Sequence, residues 1–368
     1  MDIKRIIGPV VSIILAIGIG VAVMVSHERK ANDETVKSTT ASVLILKGMI
    51  GSEKESFFAD PRVVERLSVK GLQLVVEKVG SREIATRDLK GYDFGFPAGA
   101  PAAIALQNKV KAKQIYPTFF TPMAIASWRL LIPVLEKEGV VKKEADTYYI
   151  VNMKRLLEMT ANGVRWQDLA GNTAYPTRKS ILIGSTDVRK SNSAAMYLAL
   201  ASYVVNDNNV VDDKAQVTKL LPFLTSLFLR QGLQESSSAG PFEDYTTMGV
   251  GKAPLVMIYE SQFLEYQSKR AKPNTDMVLL YPQPTLYTKH IVVPFTDNGR
   301  RLGELLATDP ELQNLAAQYG YRTTSSDSFA AFLKEKHLQA PASIVDVIDP
   351  PSYEMLERMI QAIELQFQ

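Results

Sequence analysis

The sequence predicts an α/β fold. Short apolar strand runs alternate with amphipathic helices, glycine-bearing turns follow the strands, and 368 residues exceed what a single core usually fills. Residues 43–47 form the first strand run, and Lys47-Gly48-Met49-Ile50-Gly51-Ser52-Glu53-Lys54 supplies a turn. A helix starts after Asp60, a good N-cap, with Pro61 at its first position and Val63, Val64 and Leu67 on one face. Residues 72–79 and 92–96 are the next strands. Pro117 and Pro122 divide 114–128 into two strand-like pieces, and a helix over 128–138 closes at Gly139. Residues 154–163 form another amphipathic helix. Alternation of this kind places ligands at the carboxyl ends of the strands.

The most informative stretch is Gly184-Ser185-Thr186-Asp187-Val188-Arg189-Lys190-Ser191-Asn192-Ser193 and the helix after it. The strand-like pair Leu182 and Ile183 runs into a loop dense in hydroxyls and amides. A helix with the stripe Met196, Ala199, Leu200, Tyr203 and Val204 then begins. Free N–H groups, the positive helix end and short polar side chains converge there, which suits an anionic or strongly polar ligand. An ordinary N-cap is the competing explanation, although one cap needs fewer such residues.

Later elements continue the pattern. Residues 217–231 form a helix with Leu220, Leu221, Leu224, Leu227 and Phe228 on its apolar side. A strand over 255–259 ends at Glu260, with a helix from Ser261. Strands over 276–281 and 291–295 flank a Pro282-Gln283-Pro284 turn. The final helix follows Pro350-Pro351 with Met355, Leu356, Met359, Ile360 and Ile363 in phase.

Composition narrows the function classes. Net charge is +3, too small to argue for nucleic acid as a partner, and the absence of cysteine removes disulfides and thiolate chemistry. With His27, His290 and His337 alone, imidazole chemistry has little to work with. The N-terminus is different in kind. After Lys4 and Arg5, residues 6–26 are uncharged and apolar, long enough as a helix to cross a bilayer core of roughly 30 Å. A cleaved signal peptide shares the basic start, but Met24-Val25-Ser26 offers no small-x-small cleavage site, so an uncleaved anchor is expected. Residues 1–5 then form a cytoplasmic tail, and the polar stretch 27–40 a linker to an exported domain.

Four segments in order resemble bacterial extracellular solute-binding proteins of the type II periplasmic-binding fold. They are Gly51-Ser52-Glu53, Thr121-Pro122-Met123-Ala124-Ile125-Ala126-Ser127-Trp128, Asn162-Gly163-Val164-Arg165-Trp166-Gln167-Asp168-Leu169 and Ser185 to Ser193. Tyr259-Glu260-Ser261-Gln262, Leu280-Tyr281-Pro282 and Tyr319-Gly320-Tyr321-Arg322 agree with it. The resemblance implies two α/β lobes, 41–117 plus 285–368 and 118–284, joined by a hinge that closes on ligand. Together with the anchor expected at residues 6–26, itself a departure from freely diffusing or lipid-tethered relatives, it points to a bacterial inner-membrane, single-pass protein with its main domain periplasmic or extracellular. Its partners would be a small polar solute and either a transporter permease or an envelope protein. Pro97-Ala98-Gly99-Ala100 departs from the pattern where relatives often carry a hydroxyl, and Val188 stands where many have proline.

Within that frame Ser52, Glu53, Thr186, Asp187, Ser191, Asn192, Ser193, Tyr259 and Glu260 are the expected ligand-binding residues. Asp187 and Glu260 would repel a bare anion unless paired with cations or protonated, which leaves the ligand class open. No catalytic residue, cofactor or metal site is expected. Gly249-Val250-Gly251-Lys252 lacks phosphate-loop spacing, and no Gly-x-Ser-x-Gly or Ser-x-x-Lys pattern occurs. Asp212, Asp213 and Asp297 suit turns, and Lys109, Lys111 and Lys113 suit a solvated edge strand. Solute capture is therefore the expected function, with an envelope interaction or stress-response role as the alternative.

Overall fold

A computed structural model describes residues 43–144, 147–232, 234–344 and 346–367, so the expected tail, anchor and linker lie outside the described residues. Among the described residues no helix is long and apolar enough to cross a membrane. The strands are β1 Leu44–Ile50, β2 Leu72–Lys78, β3 Phe94–Phe96, β4 Tyr116–Trp128, β5 Val141–Glu144, β6 Tyr148–Asn152, β7 Val256–Tyr259, β8 Met277–Gln283, β9 Thr285–Pro294 and β10 Val347–Ile348. Their order is β2-β1-β3-β9-β4-β8-β6-β5, with β7 added on β4 and β10 on β9. The β1 strand runs parallel to β2 and β3, whereas β9 is antiparallel to β3 and β4. This mixed α/β architecture agrees with the expected class.

Two long strands carry the connection. The first part of β4, through Pro122, pairs with β9, and from Met123 on β4 pairs with β7 and β8 instead. The two pieces expected around Pro117 and Pro122 are thus one strand. Proline cannot donate to a ladder, and both sit where the ladder tolerates it: Pro117 beside a register shift, Pro122 at the last pair before the change of partner. The expected lobe boundaries fall inside β4 and at the start of β9.

Local signals account for much of the helical structure. Asp60 accepts the Arg62 N–H ahead of the Pro61–Val69 helix. There Val63 and Leu67 are buried, but Val64 is 49% exposed, so its stripe is narrower than expected. The final helix, Tyr353–Glu364, buries all five of its expected apolar residues.

Three expectations are corrected. Leu182 and Ile183 form no strand, and the chain meets the sheet only at a parallel bridge between Gly184 and Val256. The Asn192–Val205 helix has no single apolar stripe, because it lies among the helices Met153–Ala161, Lys214–Leu229 and Tyr353–Glu364 and strands β4, β7 and β9, and is buried on nearly every side. Lys109, Lys111 and Lys113 do not form an edge strand. Lys109 lies in the Ala100–Val110 helix and donates to the carbonyls of Ala85 and Arg87, while Lys111 ends that helix in the left-handed region at φ 55°.

Candidate binding site

The carboxyl end of β1 forms one wall. After Gly51 the chain makes a 3-10 turn over Ser52–Lys54 and enters the Glu55–Ala59 helix. A side chain at Gly51 would collide with the Glu53 carboxylate, so glycine allows that carboxylate to fold back against the turn. Lys54 is fully buried, ion-paired with Glu53 Oε1, 3.1 Å from His290 Nδ1 and 4.8 Å from the centre of the Phe96 ring. Burial pulls the Lys54 ammonium below the ordinary lysine range, against the opposing Glu53 charge. Burial, reinforced by Lys54, holds His290 well below the usual histidine value and therefore neutral.

A neutral His290 must accept from the ammonium at Nδ1, which assigns its proton to Nε2, a buried atom with no hydrogen-bond partner among the described residues. The ring lies between Tyr259 and Tyr321, at 5.8 and 5.2 Å between centroids. The Tyr321 hydroxyl donates to the Glu53 carbonyl at 2.7 Å.

The start of the Asn192–Val205 helix forms the facing wall. Ser191 occupies the N-cap, yet its hydroxyl makes no capping bond and lies 3.0 Å from that of Ser193. Capping is therefore not what the serines do, and the first-turn N–H groups have no side-chain cap. Asn192 Nδ2 donates to the Tyr259 hydroxyl at 3.2 Å. Its amide packs against Gly99, where φ is 96° and a Cβ would strike it. The departure at Pro97 to Ala100 has a local answer, since the Ser81 hydroxyl accepts the Ala98 N–H at 2.9 Å and supplies a hydroxyl from another segment.

The walls touch directly. Ser52 and Ser237 hydroxyls are 2.6 Å apart, Arg82 Nε donates to the Arg189 carbonyl at 3.3 Å, and a Cβ at Gly80 would lie 2.7 Å from the Lys190 carbonyl. Between them is a cavity of about 150 Å³, lined by Ser52, Glu53, Ser81, Ser191, Asn192 and Tyr259 among others. A larger cavity of about 470 Å³ lies between Ser180, Gln231 and Lys252. The smaller one is the better candidate, because Glu53, whose side chain is 5% exposed, lies at its wall, whereas the charged residues that line the larger one are half-buried or exposed.

Five expected residues, Ser52, Glu53, Ser191, Asn192 and Tyr259, line the small cavity. Four do not. Thr186 and Ser193 bond each other at 2.8 Å in the interior, and Asp187 is held by the Arg189 guanidinium at 2.6 Å. Glu260 is fully buried between Arg322 and the Tyr281 hydroxyl, each at 2.8 Å. Arg189 keeps Asp187 below the ordinary aspartate range although burial pushes the other way. Sequence reasoning missed Ser81, the run Ser236-Ser237-Ser238, Lys54 and His290. The triple serine carried a readable hydroxyl signal, but nothing local links Lys54 to a histidine 236 residues away.

No protein-family model matches the sequence, and no curated protein matches it. Solved structures do resemble the fold. The periplasmic binding protein AfuA from Actinobacillus pleuropneumoniae, with fructose-6-phosphate bound, aligns with a TM-score of 0.55 at 10% identity over 86% of this chain and 96% of its own. Thiaminase I from Bacillus thiaminolyticus gives 0.52 at 10% identity, covering 88% of this chain and all of that one. The periplasmic binding protein P5PA gives 0.50 at 12% identity, over 88% and 99% of the two chains. At such identities the likeness carries the fold alone, and the described residues have a mixed α/β fold like that of these periplasmic binding proteins, which thiaminase I also shares.

Proposed function

We propose that this chain is an extracytoplasmic solute-binding protein that captures a small polar ligand and does not convert it. The observation that carries the reading is the cavity where the β1 turn and the start of the Asn192–Val205 helix meet, lined by serine hydroxyls, Asn192, Tyr259 and the largely shielded side chain of Glu53. Convergent polar groups in a small concavity are the usual form of a ligand site. In this reading residues 41–117 plus 285–368 are one lobe and 118–284 the other. The strands β4 and β9 cross between them, and Ser52–Ser237 closes over the solute. The apolar segment 6–26 anchors the protein to the inner membrane, with the binding domain outside the cytoplasm and an ABC-type permease as the recipient of the solute.

Ligand-induced thermal stabilisation tests capture. Oxyanions, amino acids, sugars and sugar phosphates are screened at millimolar concentration, and one class should raise the melting temperature in a concentration-dependent way. A panel that never shifts melting would overturn capture and favour contact with an envelope protein instead. N-terminal sequencing of the membrane fraction tests the anchor: a mature chain starting near Arg29 would defeat it.

A further inference from the structure

Resting on the capture reading, we infer that Glu53 sets the class of solute: the cavity takes a small molecule that presents an O–H or N–H donor to this carboxylate, and it rejects fully ionised dianions. The carboxylate is held from behind. Its Oε1 is taken by Lys54, which is itself fixed by His290 and Phe96, and its backbone carbonyl is tied to Tyr321. The side chain is 5% exposed, and among the described residues no hydrogen bond reaches Oε2. An ionised carboxylate oxygen can only accept, so a ligand beside it must donate or leave it unpaired.

Side-chain charge on the rest of the lining does not favour a dianion, and the uncapped start of the Asn192–Val205 helix offers its N–H groups to any solute that accepts, whatever its charge. Lys78 pairs with Glu55 at 2.9 Å, and Glu83 pairs with Arg87 at 2.8 Å. The Lys54 charge is already committed to Glu53. Asp187 and Glu260 are neutralised away from the cavity by Arg189 and Arg322, so the acidic charge a solute meets at close range is that of Glu53. The opposite wall has complementary capacity. Tyr259 accepts from Asn192, which leaves its own O–H free to donate, and the serine hydroxyls can do either.

The required ligand therefore both donates and accepts, and a volume of about 150 Å³ restricts it to roughly five to ten non-hydrogen atoms. A monoprotonated oxyanion, a small amino acid and a short polyol share this chemistry. Sulfate lacks the donor.

The test is calorimetric titration of the full chain with inorganic phosphate, glycine, glycerol and sulfate, in parallel with the variant Glu53→Gln. Because that change alone strands Lys54, the double variant Glu53→Gln/Lys54→Met is measured too, with circular dichroism as the check on folding. At least one donor-bearing probe should bind about ten- to a hundredfold tighter than sulfate, the cost of leaving a buried acceptor unpaired. The phosphate, glycine and glycerol arms separate the three sources. In the folded variant the preference over sulfate should fall by about tenfold, since an amide can donate where the carboxylate could not. Sulfate binding as tightly as every donor-bearing probe, or a preference unchanged in the double variant, overturns the inference and leaves capture standing. Failure of all four probes, when the broader panel also leaves melting unchanged, removes capture itself. Failure of these four with binding elsewhere in that panel overturns the donor inference alone if the tight ligand lacks an O–H or N–H group, and supports it if the ligand carries one and loses affinity in the variant.

Discussion

Among the described residues two acid–base pairs have both side chains at most 10% exposed, and they are finished differently. Arg322 gives its guanidinium to both oxygens of Glu260 and to the carbonyls of Pro341 and Ala342, lies 4.4 Å from the centre of the Phe329 ring, and the Tyr281 hydroxyl adds a bond to Glu260. Burial acts to lower the Arg322 pKa, but the Glu260 charge and hydrogen bonds, with Tyr287 and Tyr281, together outweigh it and raise the value. The Glu53–Lys54 pair is left incomplete: among the described residues no hydrogen bond reaches Oε2 of Glu53 or Nε2 of His290. A saturated network ties elements together; one with spare hydrogen-bonding capacity at a cavity wall can recognise something else. The difference separates a saturated ion pair from one with spare hydrogen-bonding capacity in the same fold.

Removing the arginine should expose this contrast most strongly. Arg322→Leu leaves Glu260 buried and unpaired and should cost about 3–5 kcal/mol in urea unfolding. A loss below about 1 kcal/mol would show that Glu260 does not depend on the pair. Lys54→Met should cost less, about 1–3 kcal/mol, because Glu53 retains access to the cavity. If it proves as damaging as Arg322→Leu, the two pairs are equivalent and the comparison fails.

The smallest effect is in pH dependence. His290 has a depressed folded pKa, so below about pH 6.5 the unfolded chain binds a proton that the folded chain refuses. The stability due to neutral His290 is complete above the unfolded pKa and is lost as pH falls toward the folded one, by at most about 1.4 kcal/mol per pH unit. His290→Asn should flatten the melting-temperature profile between pH 7 and pH 5. An unchanged slope would mean that His290 titrates normally in the fold.

Much of the architecture was legible because it rests on local rules. Asp60-Pro61 marks a helix start through its own capping bond, and the spacing of Met355, Leu356, Met359, Ile360 and Ile363 defines a buried face. Local rules also misled. Lysine at alternate positions from 109 to 113 imitates a strand, but the left-handed residue at 111 turns the chain at a helix end. The candidate site was half legible. Hydroxyl-rich loops at strand ends pointed to Ser52, Ser191, Asn192 and Tyr259, whereas Thr186, Asp187, Ser193 and Glu260 have the same local chemistry but find partners inside the protein.

The sequence by itself determined the alternation of strands and helices, the capped starts, and a supply of polar residues at strand ends, because each depends on neighbours within a few positions. Which carboxylate would face a cavity was decided by tertiary structure. Sheet order places β9 beside β3, which is beside β1, and so brings His290 to Lys54 across 236 residues. The pairing at β4 brings Arg322 to Glu260 in the same way. Charge compensation depends on distance in space, and no spacing along the chain records it.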